Sequence, residues 1–121
     1  MKKILVIDDD EQFRVMLKVL LEHQGYSVIL AFDGNNGFAK FGEESPDLVI
    51  TDIIMPEQEG IETIGKIRKA NKNIPIIAVS GGGRSGPDSY LPLARGLGAS
   101  KTFSKPFDRE EFLGAVTECL G

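Results

Sequence analysis

Two apolar runs in this chain end abruptly in acid. Ile4-Leu5-Val6-Ile7 runs into Asp8, Asp9 and Asp10, and Leu48-Val49-Ile50-Thr51 runs into Asp52. Two others end in different chemistry: Ile76-Ile77-Ala78-Val79 in the hydroxyl of Ser80, and Thr102-Phe103-Ser104 in Lys105-Pro106-Phe107. Short β-branched runs followed by helical patterns read as strands of a parallel sheet, and the C-terminal edge of such a sheet is where ligands bind. The acids, the hydroxyl and the ammonium therefore converge at one edge. Like charges held close in a partly desolvated pocket repel strongly, and only one lysine ends a strand, so keeping the acids ionised calls for a further cation. A divalent metal is the natural candidate.

The elements that must position these groups follow from periodicity. After the first strand, Phe13, Met16, Leu17, Leu20 and Leu21 recur at helical spacing, with Glu11, Arg14, Lys18 and Glu22 on the other side, which predicts a helix over 11–24 stopped by Gly25. Residues 26–31 read as a second strand. Asp33-Gly34 opens a second helix that carries Phe38 and Phe41, ends near Gly42 and leads through Ser45-Pro46 to the third strand. Ile61, Ile64 and Ile67 mark a third helix over about 58–70, with Lys66, Arg68 and Lys69 on its wet side, and Pro75 starts the fourth strand. Gly81-Gly82-Gly83-Arg84-Ser85-Gly86-Pro87 has the composition of a flexible loop. Asp88 or Ser89 could cap a fourth helix carrying Leu91, Leu93, Ala94 and Leu97, which Pro92 should shorten, delay or kink because proline removes a helix hydrogen bond. Gly98 closes it, a fifth strand runs over 100–104, and Asp108 caps a last helix with Phe112, Leu113, Val116, Cys119 and Leu120 facing the core. Five strands alternating with five helices predict one α/β domain over 1–121, a doubly wound, flavodoxin-like five-stranded parallel sheet of order 2-1-3-4-5. In that order the first and third strands are neighbours, which brings Asp8, Asp9 and Asp52 together.

The bulk composition agrees with one domain and narrows the function. A chain of 121 residues buries one core. Its 14 basic and 18 acidic residues give a net charge of −4, which favours neither nucleic acid nor an anionic membrane as a partner. Its one cysteine, Cys119, excludes an intrachain disulfide and reads as a small buried hydrophobe. No stretch has the pattern of a leader peptide or a membrane span, and a soluble cytoplasmic protein is the expectation. Asp10 reads as a helix-start residue, His23 as an ordinary occupant of a helix C-terminus, and Met55, Pro56 and Gly60 as turn and packing residues.

The residues Ile-Leu-Val-Ile-Asp-Asp-Asp at 4–10, Asp52-Ile53-Ile54-Met55-Pro56, Gly60, Ser80 and Lys105-Pro106-Phe107 together resemble the receiver domain of two-component response regulators, the family typified by chemotaxis-type single receivers. The resemblance covers essentially the whole chain. It implies that Asp52 is the phosphoacceptor, taking a phosphoryl group from a phosphohistidine on a histidine kinase or histidine phosphotransfer protein. It implies Mg²⁺, with Mn²⁺ as a substitute, held by Asp9, Asp52 and the backbone carbonyl of Ile54, with Asp8 acting through metal-bound water. Magnesium is oxygen-seeking and keeps several waters beside a few carboxylates and phosphate oxygens. Lys105 would neutralise the transferring group, and Ser80 would donate to a phosphoryl oxygen and draw the following loop inward. A cis bond between Lys105 and Pro106 is also implied. In this family the face of helix four, strand five and helix five carries dimer or partner contacts, and Tyr90, Arg95, Lys101 and Arg109 are exposed candidates there for a homodimer or a downstream protein target. Such a module is not an enzyme beyond its own phosphorylation and dephosphorylation.

The chain departs from the family's common pattern at two places. An aromatic residue usually stands three places before the lysine, where this chain has Thr102, with Phe103 beside it. The loop after Ser80 is rich in glycine, so phosphorylation is expected to organise it from a mobile state.

Three other functions compete. A receiver-like module could dock partners without phosphorylation, although it would have no need of all five polar groups. A haloacid dehalogenase-type phosphatase would use Asp8-Asp9-Asp10 as its Asp-x-Asp, but Gln12 stands where that family has threonine or valine. A flavin mononucleotide carrier would need backbone donors where acids occupy the first strand-to-helix turn. The chain stops at Gly121 directly after the last helical pattern, as either a single-domain regulator or a piece of a larger protein.

Overall fold

The computed structural model describes residues 1–53, 59–80 and 91–121. Five strands, β1 (Lys3–Ile7), β2 (Ser27–Ala31), β3 (Leu48–Asp52), β4 (Ile76–Ser80) and β5 (Lys101–Ser104), alternate with five helices, α1 (Glu11–His23), α2 (Gly34–Glu44), α3 (Glu59–Ala70), α4 (Leu91–Gly96) and α5 (Arg109–Leu120). The strands form one parallel sheet in the order β2-β1-β3-β4-β5, the doubly wound arrangement expected. Pairing of Ile7 with Thr51, Asp52 with Val79 and Ser80 with Ser104 brings the ends of four strands level.

Alternation along the strands divides the core in two. Leu5, Ile7, Val49, Ile76 and Ala78 pack with Ile64 and Ile67 of α3 and Ala94 of α4. On the opposite face Ile4, Val6, Leu48, Ile50, Ile77 and Val79 pack with Leu17 and Leu21 of α1 and Phe112 and Val116 of α5. Leu113, Cys119 and Leu120 are partly buried against this second cluster, as the pattern of the last helix predicted.

The helix starts obey local chemistry. Asp10 caps α1, its side chain accepting from the backbone of Gln12 and Phe13, while Asp33 and Asp108 do the same for Asn36 and Glu111. Gly25, at φ +95°, takes the left-handed turn that follows α1.

Four expectations are corrected. The second helix does not end near Gly42 but continues to Glu44, with Ser45 in the left-handed region at φ 49°. Ser45 precedes Pro46, which disfavours a further helical residue, and Lys3 Nζ donates to the Glu44 carbonyl at 3.1 Å. On α1 the roles of Met16 and Arg14 are exchanged: Met16 is 45% exposed, whereas Arg14 is half-buried. Arg14 lies about 60° around the helix from the buried Leu17, and Met16 about 100°. Arg68 is not on the wet side of α3; it donates to the Gly98 carbonyl at 2.7 Å and the Asn71 carbonyl at 3.1 Å, tying α3 to the turn after α4. Lys101 is half-buried and ion-paired to Glu118 rather than freely exposed.

The fourth helix is described over six residues, a short element with Pro92 inside it. Its expected cap at Asp88 or Ser89, the start of the third helix at 58, the glycine loop 81–87, Tyr90, Met55, Pro56, the Ile54 carbonyl and the side chains of Leu91 and Leu93 lie outside the described residues. Among the described residues no helix is long and apolar enough to cross a membrane.

Candidate functional site

Asp8 follows β1 directly and its backbone is held from both sides. Its N–H donates to the Ala31 carbonyl at 3.1 Å, extending the pairing with β2, and its carbonyl accepts from Arg14 Nη1 at 2.7 Å. Its buried carboxylate accepts at Oδ1 from the Asp10 N–H at 2.8 Å and at Oδ2 from Lys105 Nζ at 3.0 Å. Asp9, the next residue, is exposed. Asp52 closes β3 and is 5% exposed, while the following Ile53 N–H donates to the Val79 carbonyl at 2.9 Å and keeps the strand end in the sheet.

The approach of α3 to this strand end requires Gly60. A Cβ there would stand well inside contact distance of the Asp52 carbonyl oxygen and 2.5 Å from Ile53 Cα. Glycine is needed here for close approach, and a side chain could fit only if the helix or the Asp52 backbone moved. The packing role expected for Gly60 is therefore met at the phosphoacceptor candidate itself.

Ser80 is fully buried at the end of β4, and its carbonyl accepts from the Lys105 N–H at 2.8 Å. That bond carries the β4–β5 pairing one residue beyond Ser104 and sets the base of the lysine. The Lys105-Pro106 peptide bond is cis. From there the ammonium reaches across to Asp8 Oδ2 at 3.0 Å and Asp52 Oδ2 at 3.4 Å, and it stands 3.8 Å from the centroid of the Phe13 ring on α1.

These contacts determine the electrostatics. Burial pushes the Asp8 carboxyl above the ordinary aspartate range, with the Asp9 charge adding to it, although the Asp10 N–H and the Lys105 ammonium pull the other way. Burial by itself would lower the Lys105 ammonium, but the charges and hydrogen bonds of Asp52 and Asp8 together raise it above the ordinary lysine range. Among the described residues the carboxylates of Asp8, Asp9 and Asp52 meet the Lys105 ammonium, with the Arg14 guanidinium at the Asp8 carbonyl.

Asp8, Asp9 and Asp52 each offer a carboxylate oxygen, and these atoms all lie within 4.8 Å of one another. Two are buried and one opens to solvent. An all-oxygen donor set of this size and charge fits a hard divalent cation that keeps part of its water. Of the residues expected from the sequence, Asp8, Asp9, Asp52 and Lys105 are brought together, Ser80 lies at the end of the strand between Asp52 and Lys105, and Ile54 is outside the described residues.

Two residues that touch the site were read otherwise in the sequence. Arg14 counted as a solvent-side charge and Phe13 as core. The available signal was their place in the first turns of a helix whose N-terminus abuts the acidic strand end.

The family model for the response regulator receiver domain matches residues 4–117. The chain is 35% identical over 120 residues to the transcriptional regulatory protein CpxR of Klebsiella pneumoniae, a match covering 99% of this chain and 50% of CpxR. It is 35% identical over 118 residues to Protein PilG of Pseudomonas aeruginosa, covering 94% of this chain and 84% of PilG. Among solved structures, a response regulator receiver domain protein from Clostridium thermocellum is similar with a TM-score of 0.88 at 31% identity, covering 99% of this chain and 94% of that one. The chain thus spans about half the length of CpxR and most of PilG.

Proposed function

The chain belongs to the response regulator receiver family, and from that premise we propose that it is the phosphoacceptor module of a two-component phosphorelay, in which Asp52 takes a phosphoryl group from a partner phosphohistidine. The single observation that carries this reading is the convergence of Asp8, Asp9 and Asp52 within 4.8 Å beneath the Lys105 ammonium. An Asp52 carboxylate oxygen attacks phosphorus in line as the bond from phosphorus to the imidazole nitrogen breaks. The electron pair leaves with the imidazole, and the product is a mixed anhydride on Asp52. Such a transfer passes through a metaphosphate-like arrangement, so catalysis is largely placement and neutralisation of the equatorial oxygens.

Mg²⁺, or Mn²⁺ in its place, would be held by Asp9, Asp52 and the Ile54 carbonyl with Asp8 through water, and when bound it supplies the positive charge that lets a carboxylate approach a phosphate. Lys105 would neutralise part of the phosphoryl charge, its ammonium already within reach of both Asp8 and Asp52. Ser80 donates its hydroxyl to a phosphoryl oxygen. The altered surface then selects a downstream protein, with α4, β5 and α5 as the face for that target or for a second copy. Arg95 and Arg109 are exposed there. A phosphohistidine donor is made from ATP, so the exchange belongs to the cytoplasm.

Intact mass after incubation with acetyl phosphate, with and without Mg²⁺, tests this reading on the wild type and on Asp52→Asn. One Mg²⁺-dependent phosphoryl adduct, lost in the variant, is the expected result. An adduct that survives the substitution would mean that the nucleophile is another residue, and no adduct from either acetyl phosphate or a phosphorylated partner would leave docking without phosphorylation. Sustained release of phosphate from monoesters would instead indicate a phosphatase.

A further inference from the structure

We infer that Phe13 is a positioning residue for Lys105, holding the ammonium at the mouth of the site through its ring face; this rests on the reading of Asp52 as phosphoacceptor. Lysine is a flexible four-carbon stem with a compact, strongly hydrated charge, and it loses considerable freedom when fixed in one place. At Lys105 the ammonium is drawn by Asp8 and Asp52 at 3.0 Å and 3.4 Å, but those are the carboxylates that a cation would engage. An anchor formed only by those acids weakens at the moment the lysine is needed for the incoming phosphoryl group. Phe13 offers an anchor that no cation competes for. Its ring centroid lies 3.8 Å from Lys105 Nζ, well within the roughly 6 Å over which a ring face attracts an ammonium.

The ring is itself braced. Phe13 meets Phe107 edge-on at 6.0 Å, Phe107 stacks on Phe112 at 4.4 Å, and Phe103 packs edge-on against both, at 5.7 Å and 5.2 Å. Phe112 is fully buried. The lysine is thus backed by an aromatic cluster that reaches into the core between the sheet and α1 and α5. Leucine at position 13 would keep an apolar contact with Phe107 but would lack the ring's quadrupole.

The test compares wild type, Phe13→Leu and Phe13→Tyr in two measurements. The first is the proton shift of the Lys105 ε-methylene, which a ring face moves upfield. The expected result is an upfield shift in the wild type that persists with 10-fold excess Mg²⁺ over protein, disappears in Phe13→Leu and returns in Phe13→Tyr. A shift lost on adding Mg²⁺ to the wild type would overturn the inference, because the ring would not be holding the ammonium when the acids are engaged. The second is the rate of Asp52 phosphorylation by saturating acetyl phosphate, expected to fall about fivefold in Phe13→Leu and to recover in Phe13→Tyr. An unchanged rate in Phe13→Leu would also overturn it. Failure of the wild type to form any Asp52 adduct would instead overturn the phosphoacceptor reading, while the methylene shift would still report whether the ring holds the lysine. Thermal melts of all three proteins identify any loss caused by misfolding, and in that event the persistence or loss of the wild-type methylene shift on adding Mg²⁺ decides.

Discussion

Lys105 Nζ lies 3.0 Å from Asp8 Oδ2, so the ammonium beyond the fifth strand is bound to the acid beyond the first, with β3 and β4 between them in the sheet. The lysine is therefore a structural counterion as well as a proposed catalytic group. Replacing it leaves buried acids without their cation. Lys105→Met is expected to lose about 2 kcal/mol at neutral pH, since removing one partner of a buried pair costs more than the pair contributes. The Lys105 value is raised in the folded protein, so its contribution is complete at neutral pH and is lost only as pH climbs through that elevated value. Urea melts of both proteins at pH 7.5 and in mild acid check this, and the gap should narrow in acid as the carboxylates take up protons.

Asp8 makes the opposite contribution. Its folded value is raised, so the folded protein holds that proton more tightly than the unfolded chain, and stability falls as pH rises from the ordinary aspartate range through the raised value. Asp8→Asn removes the charge and keeps an acceptor for the Asp10 N–H. Its expected effect is a gain on the order of 1 kcal/mol at pH 7.5, which disappears at low pH where Asp8 is protonated in both states. Chemical denaturation across that range is the measurement, and an equal loss at every pH would contradict it.

Much of this was legible in the sequence, for a definite reason. The polar residues of the candidate site follow short strand-forming runs, and a parallel sheet brings the C-terminal ends of those runs to one edge. Asp8, Asp52, Ser80 and Lys105 could therefore be placed from chain order alone. What could not be read is lateral. Arg14 and Met16 flank the buried Leu17 on opposite sides of one helix, and the hydrophobic pattern favours the methionine although the arginine lies nearer to Leu17 around the axis. Phe13 reads as core in any helical pattern, because nothing in spacing reveals that a lysine ninety-two residues later, 105 − 13, rests on its ring. Gly42 looked like a stop, but the space beside it is open and the helix passes through it.

The two glycines of α3 should respond oppositely to alanine. Gly60→Ala sets a methyl group against the Asp52 carbonyl and is expected to destabilise by about 2 kcal/mol and to slow phosphorylation, because relief must come from moving that strand end. Gly65 has open space at its Cβ position, and Gly65→Ala should gain up to about 1 kcal/mol from helix propensity with no effect on phosphorylation. Thermal melts paired with adduct formation separate the two.

Burial pushes the Cys119 thiol above its ordinary range, with the nearby Lys101 charge opposing. The thiolate is the reactive form, so alkylation by iodoacetamide at pH 7.5 should be several-fold slower than for a free cysteine and should reach that speed on unfolding in urea. Equal rates folded and unfolded would show that the thiol is freely exposed.

Val6 and Ile7 adjoin in sequence yet back onto separate apolar layers, one closed by α1 and α5 and the other by α2, α3 and α4. Among the described residues the two clusters have no member in common, and substitutions that share no partners combine almost additively. The fold is therefore modular in its capacity for change. One layer carries the braced ring behind Lys105, the other carries the glycine that seats Asp52, and each can be retuned while the strand ends between them stay in register.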